Sequence, residues 1–235
     1  MNNLSIARLC RWLLAGLLLT LAAGCGSLLP KPTPQPTFYS LDLARTEPGA
    51  ALHGVATPSS AWPTLIVGPP HAAAGFDSQR IIYMREAHKL EYFARSEWVD
   101  TPARMLAPLI VAAVSNGGGF RAVLPTPSAA AGDLRLDTDI LRLQHDFDTS
   151  PSRVRFTLRA TLVDSATRRV LAWREFEASV AAASDDPYGG VVAANRAVQT
   201  VLQQLAGFCL EEAAMWQARP TETRKPVIDS GVSKR

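Results

Sequence analysis

Residues 153–162 read Arg-Val-Arg-Phe-Thr-Leu-Arg-Ala-Thr-Leu, and this stretch decides the fold. Apolar side chains recur at every second position, and the positions between them carry only arginine and threonine. A period of two places successive side chains on opposite faces of an extended chain. The stretch therefore predicts a β-strand with one face toward a core and the other toward water.

Strands are also predicted on both sides of this stretch. Residues 164–168 are typical of a turn, and the turn leads into a second strand over residues 170–180, so we expect the two strands to pair antiparallel. Upstream, residues 134–140 alternate in one phase, and Leu141, Leu143 and Phe147 follow the opposite phase. A β-bulge near Ile140 explains the shift, because one extra residue moves every later side chain to the other face.

The remaining strands are predicted to be short. Residues 81–85 and 89–93 flank Glu86-Ala87-His88, a spacing that favours a hairpin with a three-residue loop. Further apolar, β-branched runs predict strands near residues 38–41, 64–67 and 120–124.

Two segments show helical periodicity. The first lies between Asp100 and Ser115, with Pro102 in its first turn and Pro108 as a predicted kink. The second runs from Pro187 to about Met215, and the aspartates at 185 and 186 are suited to cap it. The order of elements predicts a single α+β domain: a mostly antiparallel mixed sheet with two helices packed on one face.

The N-terminus is typical of an exported chain. Two arginines precede a short apolar run and then Leu21-Ala22-Ala23-Gly24-Cys25, which resembles the bacterial lipobox. The apolar run is shorter than the roughly 20 residues that a membrane-spanning helix needs. We therefore predict a signal peptide over residues 1–24 and a diacylglycerol and palmitate-type anchor on Cys25. An ordinary secretory signal with an incidental cysteine is the alternative.

Three further segments follow from composition. Residues 25–37 carry a proline at every second position from Pro30 to Pro36 and predict a lipidated stalk of polyproline II type. Residues 38–219 hold the predicted domain, and residues 220–235 form a polar tail predicted to be disordered. Because Gly26 follows the cysteine where an inner-membrane retention signal would be aspartate, the lipobox resemblance implies the outer membrane of a Gram-negative bacterium, with the domain facing the periplasm.

Charge and cysteine content exclude several classes of protein. Removal of residues 1–24 takes two arginines and lowers the formal charge from +3 to +1. A balance so close to neutral gives no electrostatic argument for nucleic acid. Cys10 leaves with the signal peptide and Cys25 carries lipid, which leaves Cys209 alone, so no intramolecular disulfide is expected.

No catalytic motif is present. The sequence contains no metal-binding, P-loop, dinucleotide or nucleophile-elbow signature, and its four histidines lack ligand spacing. His145 precedes Asp146 but is predicted to lie at a solvated strand end, and Cys209 is predicted to be a core residue. We expect no enzyme activity, no cofactor and no metal.

The chain resembles the ABC-type transport auxiliary lipoproteins, of which the paraquat-inducible intermembrane transport lipoproteins are one type. The resemblance covers nearly the whole mature chain, and it is the ordered set of segments that makes it specific. These segments are the lipobox, Phe38–Leu41, Ile66–Pro69, Arg80–Tyr83, Tyr92–Trp98 leading to Thr101-Pro102, the strand from Asp133, Arg174–Phe176 and Ala194–Ala197.

The resemblance implies a non-catalytic partner of a transporter. Such a transporter comprises an ATPase, a permease and a periplasmic subunit of the mammalian-cell-entry (MCE) type, and it moves phospholipid or another hydrophobic solute across the envelope. Tyr83, Tyr92 and Trp98 are candidates for a partner contact, although aromatic side chains beside a helix are more often core. The chain could also form a homo-oligomer. The alternative function is that of a structural or assembly lipoprotein of an envelope machine without cargo.

Overall fold

The structure is a computed structural model that describes residues 35–42 and 62–219. The predicted signal peptide, Cys25, most of the stalk, the loop before Trp62 and the tail lie outside those residues. Within the described ranges the chain forms nine strands and two helices in the order βββββαββββα. The elements are β1 Thr37–Tyr39, β2 Thr64–Val67, β3 His71–Ala72, β4 Arg80–Glu86, β5 Lys89–Trp98, α1 Pro102–Gly117, β6 Ala122–Pro125, β7 Leu134–Asp146, β8 Arg153–Asp164, β9 Val170–Ala181 and α2 Pro187–Gln217.

The three longest strands form the regular half of the sheet. β8 pairs antiparallel with β7 on one side and with β9 on the other, as the alternation in residues 153–162 predicted. The register of β7 against β8 shifts between Ile140 and Arg142, which confirms the predicted bulge. Ahead of the bulge Leu136 and Ile140 face the helices, and after it Leu143 does.

The other half of the sheet is built from short strands. β2, β3 and β4 each run parallel to a different part of β7, β6 runs parallel to β2, and β1 runs parallel to β5. Since β4 and β5 are antiparallel, the sheet is mixed, and its longest ladders are the antiparallel ones. The fold class is confirmed as α+β. The parallel pairings and β3 were not predicted, because Pro69 and Pro70 interrupt the strand signal between β2 and β3.

The predicted hairpin is present with a tighter turn. β4 and β5 are joined by Ala87 and His88 alone, since Glu86 already pairs with Lys89. His88 takes a left-handed conformation with φ of 67°, so the turn forms without a glycine. The three-residue loop is therefore wrong by one residue.

Both predicted helices are confirmed and pack on one face of the sheet. α1 keeps Pro108 within it and ends where Gly118 and Gly119 have positive φ. α1 and α2 approach closely, because a Cβ at Gly117 would lie 3.1 Å from the Cβ of Ala206. The core lies between these helices and the inner face of β2, β7, β8 and β9. In residues 35–42 and 62–219, neither helix combines the length and hydropathy that crossing a bilayer requires.

Candidate functional site

The structure separates the three aromatic side chains that the sequence singled out. Trp98 is 3% exposed and belongs to the core. Tyr83 and Tyr92 lie on opposite faces of the hairpin, because Tyr92 pairs with Ile82, the residue before Tyr83. They therefore do not form a single surface.

Tyr83 belongs to an aromatic cluster, which we define as Tyr83, Phe93 and Phe147. The ring centroids of Tyr83 and Phe93 are 4.6 Å apart, and Phe147 meets the Tyr83 ring edge-on at 5.8 Å. All three rings are half-buried. The guanidinium carbon of the exposed Arg85 lies 5.1 Å from the Tyr83 centroid and 5.7 Å from that of Phe147. The aromatic cluster thus combines partly exposed apolar area with a cation, which is the composition of protein-contact sites.

Tyr92 lies on the face of the sheet that the helices leave uncovered. Its ring is 49% exposed, and the guanidinium carbon of Arg80 lies 4.1 Å from the ring centroid. Leu90 is 47% exposed on the same face, two residues along β5. This second surface is smaller and less enclosed than the aromatic cluster.

A buried polar group lies beside the aromatic cluster and was not predicted. His145 is 2% exposed, so its assignment to a solvated strand end is wrong. His145 follows the same alternation as Leu141, Leu143 and Phe147, and that phase would have predicted a buried side chain. The imidazole centroid lies 4.2 Å from the Phe147 ring and 6.3 Å from the Phe93 ring.

His145 is hydrogen-bonded to the start of the next strand. Its Nε2 lies 2.8 Å from the Ser152 hydroxyl, and that hydroxyl lies 2.5 Å from Asp185 Oδ1. The Ser152 backbone N–H also donates to Asp185 at 3.3 Å. The loop before α2 thereby meets the end of β7 and the residue just before β8, although Asp185 lies 33 positions from Ser152. We call His145, Ser152 and Asp185 the histidine tie.

Hydrogen-bond donors fix the tautomer within the histidine tie. Donation from Ser152 holds the pKa of Asp185 below its ordinary value, so this carboxylate is ionised and accepts the hydrogen bond from the Ser152 hydroxyl. The Ser152 oxygen can then only accept from His145, which places the imidazole proton on Nε2. His145 Nδ1 has no hydrogen-bond partner among the described residues. Burial lowers the pKa of His145 although Asp185 and Asp186 oppose it, so the ring is neutral at pH 7.

The start of α2 is fitted closely to His145. The Asp186 side chain caps the helix by accepting from the Gly189 N–H at 2.7 Å, and donation from that N–H lowers the pKa of Asp186. Gly190 packs against the imidazole, since a Cβ there would lie 2.5 Å from His145 Nδ1. The predicted aspartate cap is confirmed for Asp186, whereas Asp185 binds Ser152 instead.

A second buried titratable group lies on the other face of β7. Asp146 has no exposed area, and its Oδ1 accepts from the Gln144 side chain at 2.5 Å. The Arg155 Nε lies 2.8 Å from Asp146 Oδ2, and Arg155 Nη2 lies 3.5 Å from Asp148 Oδ2. Burial raises the pKa of Asp146, and the Gln144 hydrogen bond and the Arg155 guanidinium counter part of that effect.

The histidine tie is not arranged for nucleophilic catalysis. A catalytic serine donates its proton to histidine, whereas Ser152 donates to Asp185 and accepts from His145. The adjoining cavity, bordered by Trp98, His145 and Gly190, holds about 10 Å³, which is room for one water molecule at most. Burial raises the pKa of the Cys209 thiol to about 12, so this core cysteine is unreactive as a nucleophile, in agreement with its predicted role.

A larger groove lies between the two helices. An open groove of about 440 Å³ runs along α1 and α2 between Ala113, Gly117, Ala206 and Leu210, and no titratable side chain lines it. In residues 35–42 and 62–219, no three histidine, cysteine or acidic side chains are placed to hold a metal ion.

Two of the sequence segments that carry the resemblance meet in the fold. Asn195 of α2 accepts from the Asp42 backbone N–H at 2.6 Å and donates to the Ser40 carbonyl at 3.2 Å. The asparagine thus joins the last helix to the chain leaving β1. Its role is to position the first strand.

Comparison with known proteins identifies one family. The sequence model of the ABC-type transport auxiliary lipoprotein component family matches residues 42–206. The crystal structure of protein XCC0632 from Xanthomonas campestris, of the family DUF330, is 26% identical in sequence, with a TM-score of 0.65 over 78% of this chain and 99% of that one. An uncharacterised protein of known structure shares the fold at 12% identity, with a TM-score of 0.55 over 76% of this chain and 98% of that one. No curated protein matches the sequence.

Proposed function

The chain belongs to the family of ABC-type transport auxiliary lipoprotein components, and on that basis we propose that it is the lipid-anchored, non-catalytic partner of an MCE-type transporter. Lipid on Cys25 holds it on the periplasmic side of the outer membrane. An ATPase and a permease in the inner membrane drive transport of phospholipid or another hydrophobic solute, and the MCE-type subunit connects them to this domain.

The observation that carries this proposal is the family match over residues 42–206, which covers most of the predicted domain. The lipobox-like sequence ending at Cys25 agrees with the word lipoprotein in the family description. A contact surface beside a hydrogen-bonded, non-catalytic histidine agrees with an auxiliary role, since the chemistry of ATP hydrolysis belongs to the transporter.

We further propose that the aromatic cluster is the surface that contacts the MCE-type subunit. Its rings are held by packing and lose little conformational entropy on binding, and Arg85 adds a cation above two of them. Tyr83 is the residue of the aromatic cluster that the sequence predicted as a candidate for a partner contact. Tyr92 and Arg80 form a secondary surface. Trp98 is buried in the core and is not part of either surface.

Photocrosslinking in intact cells tests the partner. A photoreactive amino acid replaces Arg85 beside the aromatic cluster, or Trp173 as the matched control, which is 64% exposed on the opposite edge strand, β9. We expect a crosslink to the MCE-type subunit from position 85 and none from position 173. Products that contain only assembly proteins of a secretion or pilus machine would support the structural alternative.

The anchor is tested separately. Cys25→Ser is expected to abolish labelling by palmitate and to release the protein from the membrane fraction, because the thiol is the proposed attachment site. The matched control is Cys10→Ser within the predicted signal peptide, which should leave both unchanged. Membrane retention of the Cys25→Ser protein, together with an unlabelled wild type, would contradict the anchor.

A further inference from the structure

The histidine tie has no spare acceptor for a second imidazole proton. His145 donates through Nε2 to Ser152, whose own proton is committed to Asp185. The other ring nitrogen, Nδ1, is buried, lacks a described hydrogen-bond partner and faces Gly190 across a gap too small for a Cβ. A proton added at Nδ1 therefore points at the backbone of α2, where the described residues offer no acceptor for it.

Charged groups surround His145 unevenly. Asp185 and Asp186 face the ring from the loop before α2 and favour its protonation. From β4, Tyr83 is the register partner of His145, and the guanidinium carbon of Arg85 lies 5.7 Å from the Phe147 ring centroid. Within the described residues, none of these groups is within hydrogen-bonding distance of Nδ1.

We propose that the histidine tie is a pH-sensitive joint that fixes the start of α2 and the aromatic cluster when His145 is neutral, and loosens both when His145 is protonated. The adjoining cavity of about 10 Å³ is at the lower limit for a single water molecule, so the imidazolium moves away from Gly190 to hydrate its new N–H fully. Since the ring stacks 4.2 Å from Phe147, its displacement removes the support of the aromatic cluster. Only the link to partner binding rests on the proposed function; the joint itself follows from the fold.

The direction of the effect follows from linkage. The folded chain binds the His145 proton less readily than the unfolded chain, because burial lowers the pKa from its ordinary value of 6.5. The unfolded state then holds more protons as the pH falls below 6.5, so the opening equilibrium shifts toward the open state. One proton limits the shift to about tenfold per pH unit.

Hydrogen exchange of the full mature chain in mild detergent measures this joint directly. After correction for intrinsic exchange rates, we expect protection at residues 186–194 to fall between pH 6.5 and pH 5.5, by up to about fivefold. Residues 198–209 in the middle of α2 should keep their protection. Equal protection at residues 186–194 at both pH values would overturn the proposal.

Two variants isolate the titrating group. His145→Gln keeps a donor toward Ser152 but cannot titrate, and it should remove the pH dependence at residues 186–194. His71→Gln, at an exposed position in β3, is the matched control and should retain it. If His145→Gln does not fold, NMR of the wild type decides, since one of the four histidine resonances should titrate below 6.5. A His145 resonance with a midpoint at or above 6.5 would contradict the proposal.

Partner binding is read separately. Crosslinking from position 85 at pH 7.5 and 5.5 should give less product with the MCE-type subunit at the lower pH. If hydrogen exchange at residues 186–194 depends on pH and no crosslink forms at either pH, the pH-sensitive joint is supported and the proposed partner is contradicted. A crosslink of equal yield at both pH values, with pH-independent exchange, contradicts the joint and leaves the proposed function intact.

Discussion

The two ends of β7 differ in what they bury. Ahead of the bulge, Leu134, Leu136 and Ile140 are fully buried against the helices. After it, Gln144, His145 and Asp146 are buried instead, and each finds a polar partner. The first end is stabilised by apolar area, which needs no specific partner. The second is stabilised by polar contacts, which form within β7 between Gln144 and Asp146 and outside it with Ser152 and Arg155.

The largest effect is expected at the apolar end. Leu136→Ala leaves a cavity between β7 and the helices, because Leu136 has no exposed area. We expect the free energy of unfolding to fall by about 3 kcal/mol, measured by urea denaturation of the mature chain. Val170→Ala, on the exposed β9 position, is the control and should change it by under about 0.5 kcal/mol. Similar losses from both variants would mean that the core does not lie where the structure places it.

Gly190→Ala is expected to be the most damaging small change at the polar end. The added methyl lies 2.5 Å from His145 Nδ1, so the histidine tie must shift to accept it. Overpacking of this kind costs about 2 kcal/mol. Gly207→Ala in the same helix meets nothing within 4 Å and should stabilise the chain by up to about 1 kcal/mol. Opposite signs for the two alanines, measured by thermal unfolding, would confirm the close contact at Gly190.

The sequence predicted the apolar end of β7 better than the polar one. Alternation in residues 153–162 and the phase shift near Ile140 sufficed to predict β7, β8, β9 and the bulge. The histidine tie was missed because His145 and Asp185 are 40 positions apart, and each was judged by its immediate neighbours. The short parallel strands were missed for a related reason. Their pairing depends on long-range contacts with β7, whereas two-residue β3 carries almost no local signal.

The aromatic prediction shows where residue type alone fails. Tyr83, Tyr92 and Trp98 lie on one hairpin, yet one is half-buried beside His145, one is exposed and one is in the core. A large irregularity in β5, between the pairs Arg80–Glu97 and Ile82–Tyr92, shifts the faces along the strand. No regular period reveals such an insertion, because it interrupts the alternation that a prediction reads.

A third variant tests the buried charge on the outer face of β7. Arg155→Met removes the cation beside Asp146 and leaves a carboxylate with no exposed area. We expect a loss of about 1.5 kcal/mol at pH 7, below the value for a fully buried pair because about a third of the arginine side chain is exposed. Adding Asp146→Asn should recover most of this loss, since the amide carries no charge. No recovery in the double variant would show that Arg155 acts through packing alone.

The smallest expected effect concerns the N-termini of the two helices. It compares α2, which has a side-chain cap, with α1, which has none. Asp186 accepts from Gly189 N–H at the start of α2, whereas Thr101 at the start of α1 makes no side-chain cap hydrogen bond. Asp186→Ala should therefore cost about 1 kcal/mol, as loss of an N-cap does, and Thr101→Ala under about 0.5 kcal/mol. Since the pKa of Asp186 is held below its ordinary value of 3.8, its contribution is present above pH 3.8 and disappears as the pH falls through the lowered value. Urea denaturation at pH 7 and pH 3 measures the free energy of unfolding of both variants relative to the wild type. An equal loss of free energy of unfolding from Thr101→Ala and Asp186→Ala would contradict this difference between the two helix N-termini. It would mean that the Asp186 side chain does not stabilise the start of α2.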